Sequence, residues 1–201
     1  MGGGTKEQQK SSGHISVKKR SFRQIRSPMV HGFTLVELLV VITIIGLLVG
    51  LFSVGIPLAM NTARKAKAKA EALAIVSAIK AYHSEYSKYP NPNSDTSGAD
   101  VWMDGQDSRN LMKILAGQDI ANQNPKKVRF IEGPNDNGDF QDPWKKGVNR
   151  GQYTVKVDTS GDGVVEFYGN IQLPVLVMST GQDTTLKNPS DPKSKNVYSW
   201  K

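Results

Sequence analysis

A short run of oxygen-bearing side chains has the spacing of a calcium-binding loop. Asp158, Ser160 and Asp162 alternate with small residues, and a glycine follows them, as at the start of a loop that wraps Ca²⁺. Glu166 stands at the ninth position, but Gly169 occupies the twelfth, where such loops carry a bidentate glutamate. The same residues also suit a polar hairpin turn between two strands, and the missing glutamate favours the turn.

Residues suited to covalent or redox chemistry are scarce. The chain has no cysteine, which excludes disulfides, thiolate zinc sites and cysteine nucleophiles. It shows no nucleophile elbow, no phosphate-binding glycine loop and no histidine cluster. The sequence therefore predicts a protein that is not an enzyme. A cysteine-free exported domain must draw its stability from packing, assembly or a bound ion.

One carboxylate stands at the start of a long apolar segment. Residues 38–59 contain no charged side chain, and at about 1.5 Å rise per residue they cover roughly the 30 Å hydrocarbon core of a bilayer. Glu37 directly precedes them, where an ionised side chain costs on the order of 2.5–3.5 kcal/mol if it is held at membrane depth. Glu37 therefore needs a cationic partner, or else it reaches up to the membrane interface.

The segment before the apolar run is basic. Residues 1–32 carry seven Lys or Arg against one acidic residue, whereas the rest of the chain is nearly neutral. This pattern predicts a cytoplasmic N-terminus for a single-pass protein and weighs against nucleic-acid binding by the body of the chain. Basic residues at positions 64–69 flank the other end, so the orientation depends on the first cluster.

The apolar run is longer than a secretory signal and no cleavage site follows it, so we expect it to stay in the mature protein.

The remaining pattern predicts one long helix and a small sheet. Leu73, Val76 and Ile79 continue a helical spacing beyond the apolar run, and Pro90 ends it. A polar connection is expected over residues 91–109, a short helix over 108–116, and strands near 127–132, 153–157, 164–168 and 175–178. The predicted fold class is α+β, in which the amphipathic second half of the N-terminal helix packs on a small antiparallel β-sheet.

The stretch Gly-Phe-Thr-Leu-Val-Glu at residues 32–37 resembles the class III signal of type IV pilins and type II secretion pseudopilins. In that family a membrane prepilin peptidase cuts after the glycine and methylates the new N-terminus. The resemblance implies cleavage between Gly32 and Phe33 and N-methylation of Phe33. In the family the carboxylate that corresponds to Glu37 pairs with the N-terminal amine of a neighbouring subunit, so the implied role of Glu37 is filament assembly.

Two later segments resemble the major pseudopilin of type II secretion. Asp-Pro-Trp at residues 142–144 matches its signature, and residues 179–200 resemble its ending, where a polar loop binds calcium. The resemblance implies Ca²⁺ ligands at Asp183, Asp191, Asn196 and the backbone carbonyl of Thr180. Asn196 replaces the acid usual in the family, and three loop lysines should weaken binding of a divalent ion. We nevertheless expect calcium here, because a long irregular loop without disulfides needs a stabilising link.

The resemblance divides the chain into a cytoplasmic leader (1–32), a transmembrane helix half (33–60), a soluble helix half (61–90) and a pilin-like periplasmic domain (91–201). It implies a structural subunit of a pseudopilus, anchored in the bacterial inner membrane and assembled into a periplasmic filament. The implied partners are further copies of the chain, prepilin peptidase, the inner-membrane secretion platform and minor pseudopilins. Two alternatives stay open: a major pilin of a type IV or competence pilus, and a membrane-tethered calcium-dependent binding module that uses the Asp158 loop.

Overall fold

The computed structural model of the protein describes residues 1–3, 32–93, 99–145 and 151–201. Most of the predicted leader, residues 4–31, lies outside the described residues, as do parts of two polar connections. The elements in chain order are α1 (Leu35–Tyr86), β1 (Val101–Met103), α2 (Gly105–Leu115), β2 (Thr154–Val157), β3 (Val165–Glu166), β4 (Asn170–Ile171), β5 (Val175–Ser179) and β6 (Val197–Tyr198). The chain forms two compact units, Met1–Leu47 and Leu48–Lys201.

The first unit contains the beginning of α1, and its apolar side chains are uncovered. Exposed fractions range from 80% for Leu35 to 45% for Val41. By length and composition α1 can cross a membrane, and no residue of its most apolar stretch is buried within the described protein. An α-helix can lie in lipid without a protein cover because all of its backbone hydrogen bonds are internal.

In the second unit, α1 supplies one face to a buried core. Ala68, Ala72, Ile75, Ile79 and Tyr82 are inaccessible to solvent, and their spacing of three and four residues marks one side of a helix. The predicted face was partly wrong, because Leu73 is 45% exposed whereas Ile75 is buried. The Tyr153 hydroxyl also donates a hydrogen bond to the Glu71 carboxylate at 2.6 Å, which links α1 to the start of β2.

A four-stranded antiparallel sheet forms the other side of the core, in the order β1-β2-β5-β6. Val155 pairs with Val177 at its centre, and β5 is buried over its whole length. A two-stranded sheet of β3 and β4 lies outside this order. The α+β fold class, with a long helix and a small antiparallel sheet, is confirmed.

Two strand predictions need correction. The alternating segment at residues 127–132 is not a strand, because Lys127 has a left-handed backbone (φ 53°) and the amides of Phe130 and Ile131 both donate to the Leu115 carbonyl. These residues wrap the end of α2 instead of pairing with a neighbouring strand. The strand expected over 164–168 is shortened to β3, and β1 lies within the connection predicted to be irregular.

Candidate functional site

The start of α1 is closed by a reciprocal pair of side chains. The Glu37 carboxylate (Oε2) accepts hydrogen bonds from the Thr34 amide at 2.8 Å and from the Thr34 hydroxyl at 2.7 Å. The Glu37 amide donates to the Thr34 hydroxyl oxygen at 3.2 Å. This is a capping box, in which a threonine and a glutamate three residues later satisfy amides that the first turn leaves without partners. The carboxylate also lies near the positive end of the helix dipole.

The predicted processing residues directly precede this cap. Gly32 and Phe33 are both exposed, Phe33 to 80%, and a side chain at position 32 would meet no neighbour. The structure therefore places an accessible Gly32–Phe33 peptide bond immediately before Thr34. Cleavage there would produce an amino group at Phe33, four positions from the Glu37 carboxylate in sequence.

The Asp158 segment forms the turn between β2 and β3. One Asp158 carboxylate oxygen accepts from the Gly161 amide at 2.7 Å and the Ser160 hydroxyl at 2.9 Å, and the other accepts from the Gly163 amide at 2.8 Å. Burial raises the pKa of Asp158, but these hydrogen bonds outweigh it and hold the pKa below its usual value. Asp162 accepts from the Val164 amide within the same turn.

The Asp158 segment is a tight polar turn, but it is not the hairpin turn that the sequence favours, because β2 and β3 lie in different sheets and do not pair. Glu166 lies in β3, where its backbone amide donates to the Asp100 carboxylate and its backbone carbonyl accepts from the Lys156 ammonium group. Glu166 is itself exposed. A calcium site in this turn stays a prediction.

The C-terminal loop, which we define as residues 180–196 between β5 and β6, brings three of its four predicted ligands together. The Asn196 amide nitrogen (Nδ2) donates to the Thr180 carbonyl at 2.7 Å and lies 3.4 Å from an Asp183 oxygen. Asp191 is held in a separate turn, where its carboxylate accepts from the Lys193 amide at 2.8 Å. As folded, this donor set does not fit Ca²⁺, because an amide N–H group stands among the oxygen atoms that would coordinate the ion.

Asp142, in the Asp-Pro-Trp motif, has a structural role that sequence reasoning missed. Its side chain is fully buried, and one oxygen accepts from the amides of Trp144 at 3.1 Å and Lys145 at 2.8 Å. The other oxygen accepts a short hydrogen bond from the Ser179 hydroxyl. Asp142 therefore ties this turn to the end of β5, at the base of the C-terminal loop.

Lys69 is a second link that the sequence did not reveal. Its ammonium group donates to the backbone oxygens of Tyr198 at 2.8 Å, Ser199 at 2.9 Å and Lys201 at 2.6 Å. Burial lowers the pKa of Lys69 below the usual lysine value. The residue joins α1 to a segment about 130 positions away, and only the presence of a lysine on the buried side of the helix could have indicated it.

Comparison with known proteins gives one match, at the start of α1. The family model described as the prokaryotic N-terminal methylation motif matches residues 28–53, which include Gly32, Phe33 and Glu37. No curated protein and no solved structure matches the chain. The described part of the matched segment is the capped and uncovered beginning of α1.

Proposed function

We propose that this type IV pilin-like, prepilin-processed protein is the repeating subunit of a periplasmic pseudopilus in a type II protein secretion system. The methylation motif supports processing by prepilin peptidase and a membrane-associated filament. Beyond that, the proposal assigns Phe33 as the methylated residue and Glu37 as the assembly residue. Its further partners are copies of the chain, minor pseudopilins and the inner-membrane secretion platform.

The observation that carries the proposal is the uncovered apolar surface of α1 with one carboxylate at its beginning. Residues 38–59 carry no charge, and their described large apolar side chains are about half exposed or more. Such a surface is stable in lipid or against the same helix of other copies. Before processing it lies in the inner membrane, with the basic leader on the cytoplasmic side and the C-terminal domain in the periplasm.

Glu37 gives this apolar surface a directional contact. The two hydrogen bonds from Thr34 use part of the roughly four acceptor positions of a carboxylate, so Glu37 keeps capacity for an ammonium group. The amine that cleavage creates at Phe33 is such a group, and in a low-dielectric bundle the pair is attractive only when both charges are present. Processing would thus supply the cation that assembly requires.

The test separates the charge of Glu37 from its capping role. Glu37→Gln keeps a hydrogen-bond acceptor for Thr34 but removes the negative charge, whereas Thr43→Val removes a hydroxyl that bonds only the Leu39 carbonyl on the same helix. We expect Glu37→Gln to be inserted, cleaved and methylated, as intact-mass measurement would show, and to lose assembly. Thr43→Val should assemble normally.

Assembly is measured by cross-linking between introduced cysteines, because the native chain contains none and the background is therefore clean. Filaments of Glu37→Gln with native cross-linking yield would contradict the proposal. A Gly32→Leu variant that is not cleaved but keeps its function would show that polymerisation is not the mechanism, and would favour the tethered binding module.

A deletion strain distinguishes the secretion assignment from a pilus. Loss of exoprotein secretion with no change in surface pili is the expected result. Loss of surface pili with intact secretion would instead favour a type IV or competence pilin.

A further inference from the structure

The C-terminal loop is held at its neck by one side chain. Loops longer than about 12–15 residues without regular structure are uncommon in compact domains and need internal contacts to stay ordered. Here Thr180 directly follows β5, Asn196 directly precedes β6, and the Asn196 side chain donates to the Thr180 carbonyl at 2.7 Å. It also donates to the carbonyl of Thr185, in the middle of the loop, at 3.1 Å.

The orientation of the Asn196 amide follows from its other neighbours. Its oxygen (Oδ1) lies 2.7 Å from the Lys187 amide nitrogen and 3.0 Å from the Tyr198 hydroxyl. A backbone amide can only donate, so the Asn196 oxygen must face Lys187 and the nitrogen must face the opposite side. On that side lie the oxygens of Thr180, Thr185 and Asp183.

The one carboxylate in this cluster already has a cation. The Lys187 ammonium nitrogen lies 3.3 Å from one Asp183 oxygen, and the Lys195 amide donates to the other oxygen at 2.8 Å. The Asp183 side chain is 14% exposed, so the pair is only partly screened by water. Both oxygens of Asp183 are therefore engaged by donors from within the loop.

We propose that the Asn196 amide and the Lys187 ammonium group together take the place of a bound cation and close the C-terminal loop without metal. Calcium needs about six to eight oxygen ligands at 2.3–2.6 Å. A cation entering this cluster would meet the amide hydrogens of Asn196 and the positive charge of Lys187. Rotating the amide to present its oxygen would place two donors, Nδ2 and the Lys187 amide, against each other.

The first test is thermal unfolding of the full chain in detergent micelles, with either excess CaCl₂ or EDTA. A ligand that binds the folded state raises the melting temperature as its concentration increases. We expect the two melting temperatures to agree within roughly 1 °C, because a ligand that does not bind gives no such shift. A melting temperature that rises with calcium concentration to the same extent in the native chain and in Asp158→Asn, which lacks the charge of the Asp158 turn, would overturn the proposal.

The second test converts the amide into a carboxylate. Asn196→Asp removes the donor to Thr180 and Thr185 and places a second acid beside Asp183, so we expect a lower melting temperature in EDTA that calcium partly restores. Asn188→Asp is the matched control, since Asn188 lies in the same loop and uses only an oxygen, accepting from the Ser190 amide at 2.8 Å. The control should show neither effect, and unchanged stability of Asn196→Asp in EDTA would refute the proposal.

A third comparison isolates the ammonium group and does not depend on how well the Asn196 variant folds. Lys187→Gln and Lys193→Gln remove the same charge from the same loop, but only Lys187 is paired with Asp183. Lys193 is exposed, and only its backbone amide is bonded to Asp191. We expect Lys187→Gln to unfold at the lower temperature, and equal melting temperatures would contradict the role assigned to Lys187.

Discussion

Replacing Lys69 with methionine tests whether the last residues of the chain depend on α1. The ammonium group is the common donor to three backbone oxygens, at Tyr198, Ser199 and Lys201. Lys69 lines an open groove between α1 and the C-terminal loop, and methionine keeps much of the aliphatic side chain that lies there. The variant therefore removes the hydrogen bonds and the charge with little change in packing.

The size of the effect follows from the number and kind of these hydrogen bonds. A hydrogen bond to a charged group contributes about 1.5–3 kcal/mol, but three bonds from one donor are not additive. Burial of the ammonium group opposes them, as the lowered pKa of Lys69 indicates, and the freed oxygens of the open groove regain water. We expect a net loss of about 2–3 kcal/mol, which for a protein of this size lowers the melting temperature by about 4–12 °C.

The assay is thermal unfolding of the full chain in detergent, followed by tryptophan fluorescence, since Trp200 lies in the tethered segment. Lys67→Met is the matched control: this lysine is on the same helix, its side chain is 67% exposed, and its ion pair with Glu71 spans 3.8 Å. Exposed pairs of this kind contribute about 0–1 kcal/mol. Equal melting temperatures for the two variants would refute the role of Lys69.

Two further predictions concern a glycine and a tyrosine. Gly181 and Gly161 both have left-handed backbones, so alanine costs about 1–2 kcal/mol at either position, but only at Gly181 would the added carbon collide with the Lys195 carbonyl. Gly181→Ala should therefore melt well below Gly161→Ala, and similar values would contradict the close approach. Burial raises the pKa of Tyr82 from 10.0 to about 12, and its hydroxyl donates to the Gln123 carbonyl at 2.5 Å. Because the folded protein holds this proton more tightly, the contribution of Tyr82 to the free energy of unfolding is complete below pH 10 and is lost as the pH rises toward 12. The free energy of unfolding, measured across this range, should fall more steeply with pH in the native protein than in Tyr82→Phe, and parallel curves would refute the assignment.

The features that the sequence predicted well are those that depend on near neighbours. The charge-free run of residues 38–59 defines the apolar part of α1 by itself. The capping box of Thr34 and Glu37 is just as local, but it was not predicted, because Glu37 was interpreted only as a carboxylate at membrane depth. The alternation of polar and apolar residues at 127–132 is also a local pattern, yet the strand that it predicted is wrong. The reason is tertiary: the amides of Phe130 and Ile131 pair with Leu115 at the end of α2.

The C-terminal loop shows why side-chain roles were harder to predict. The resemblance to the pseudopilin ending implied that Thr180, Asp183 and Asn196 share one cluster, and the structure brings them together. The sequence could not indicate which end of the Asn196 amide faces the cluster, because that depends on the Lys187 amide nine positions away. The resemblance thus implied calcium in a loop whose folded side chains favour closure without metal, and the melting experiments decide between the two. The links made by Lys69 and Asp142 likewise depend on partners that only the folded chain brings close.

The four-stranded sheet ends on very short strands, β1 with three residues and β6 with two. A long open edge would offer unpaired amides and carbonyls to the same edge of another molecule and promote aggregation. Such short edge strands expose few unpaired backbone groups to which a strand of another molecule could add. In the proposed filament, copies held side by side at a membrane would then meet through their helices without the risk that their sheets fuse into one continuous β-structure.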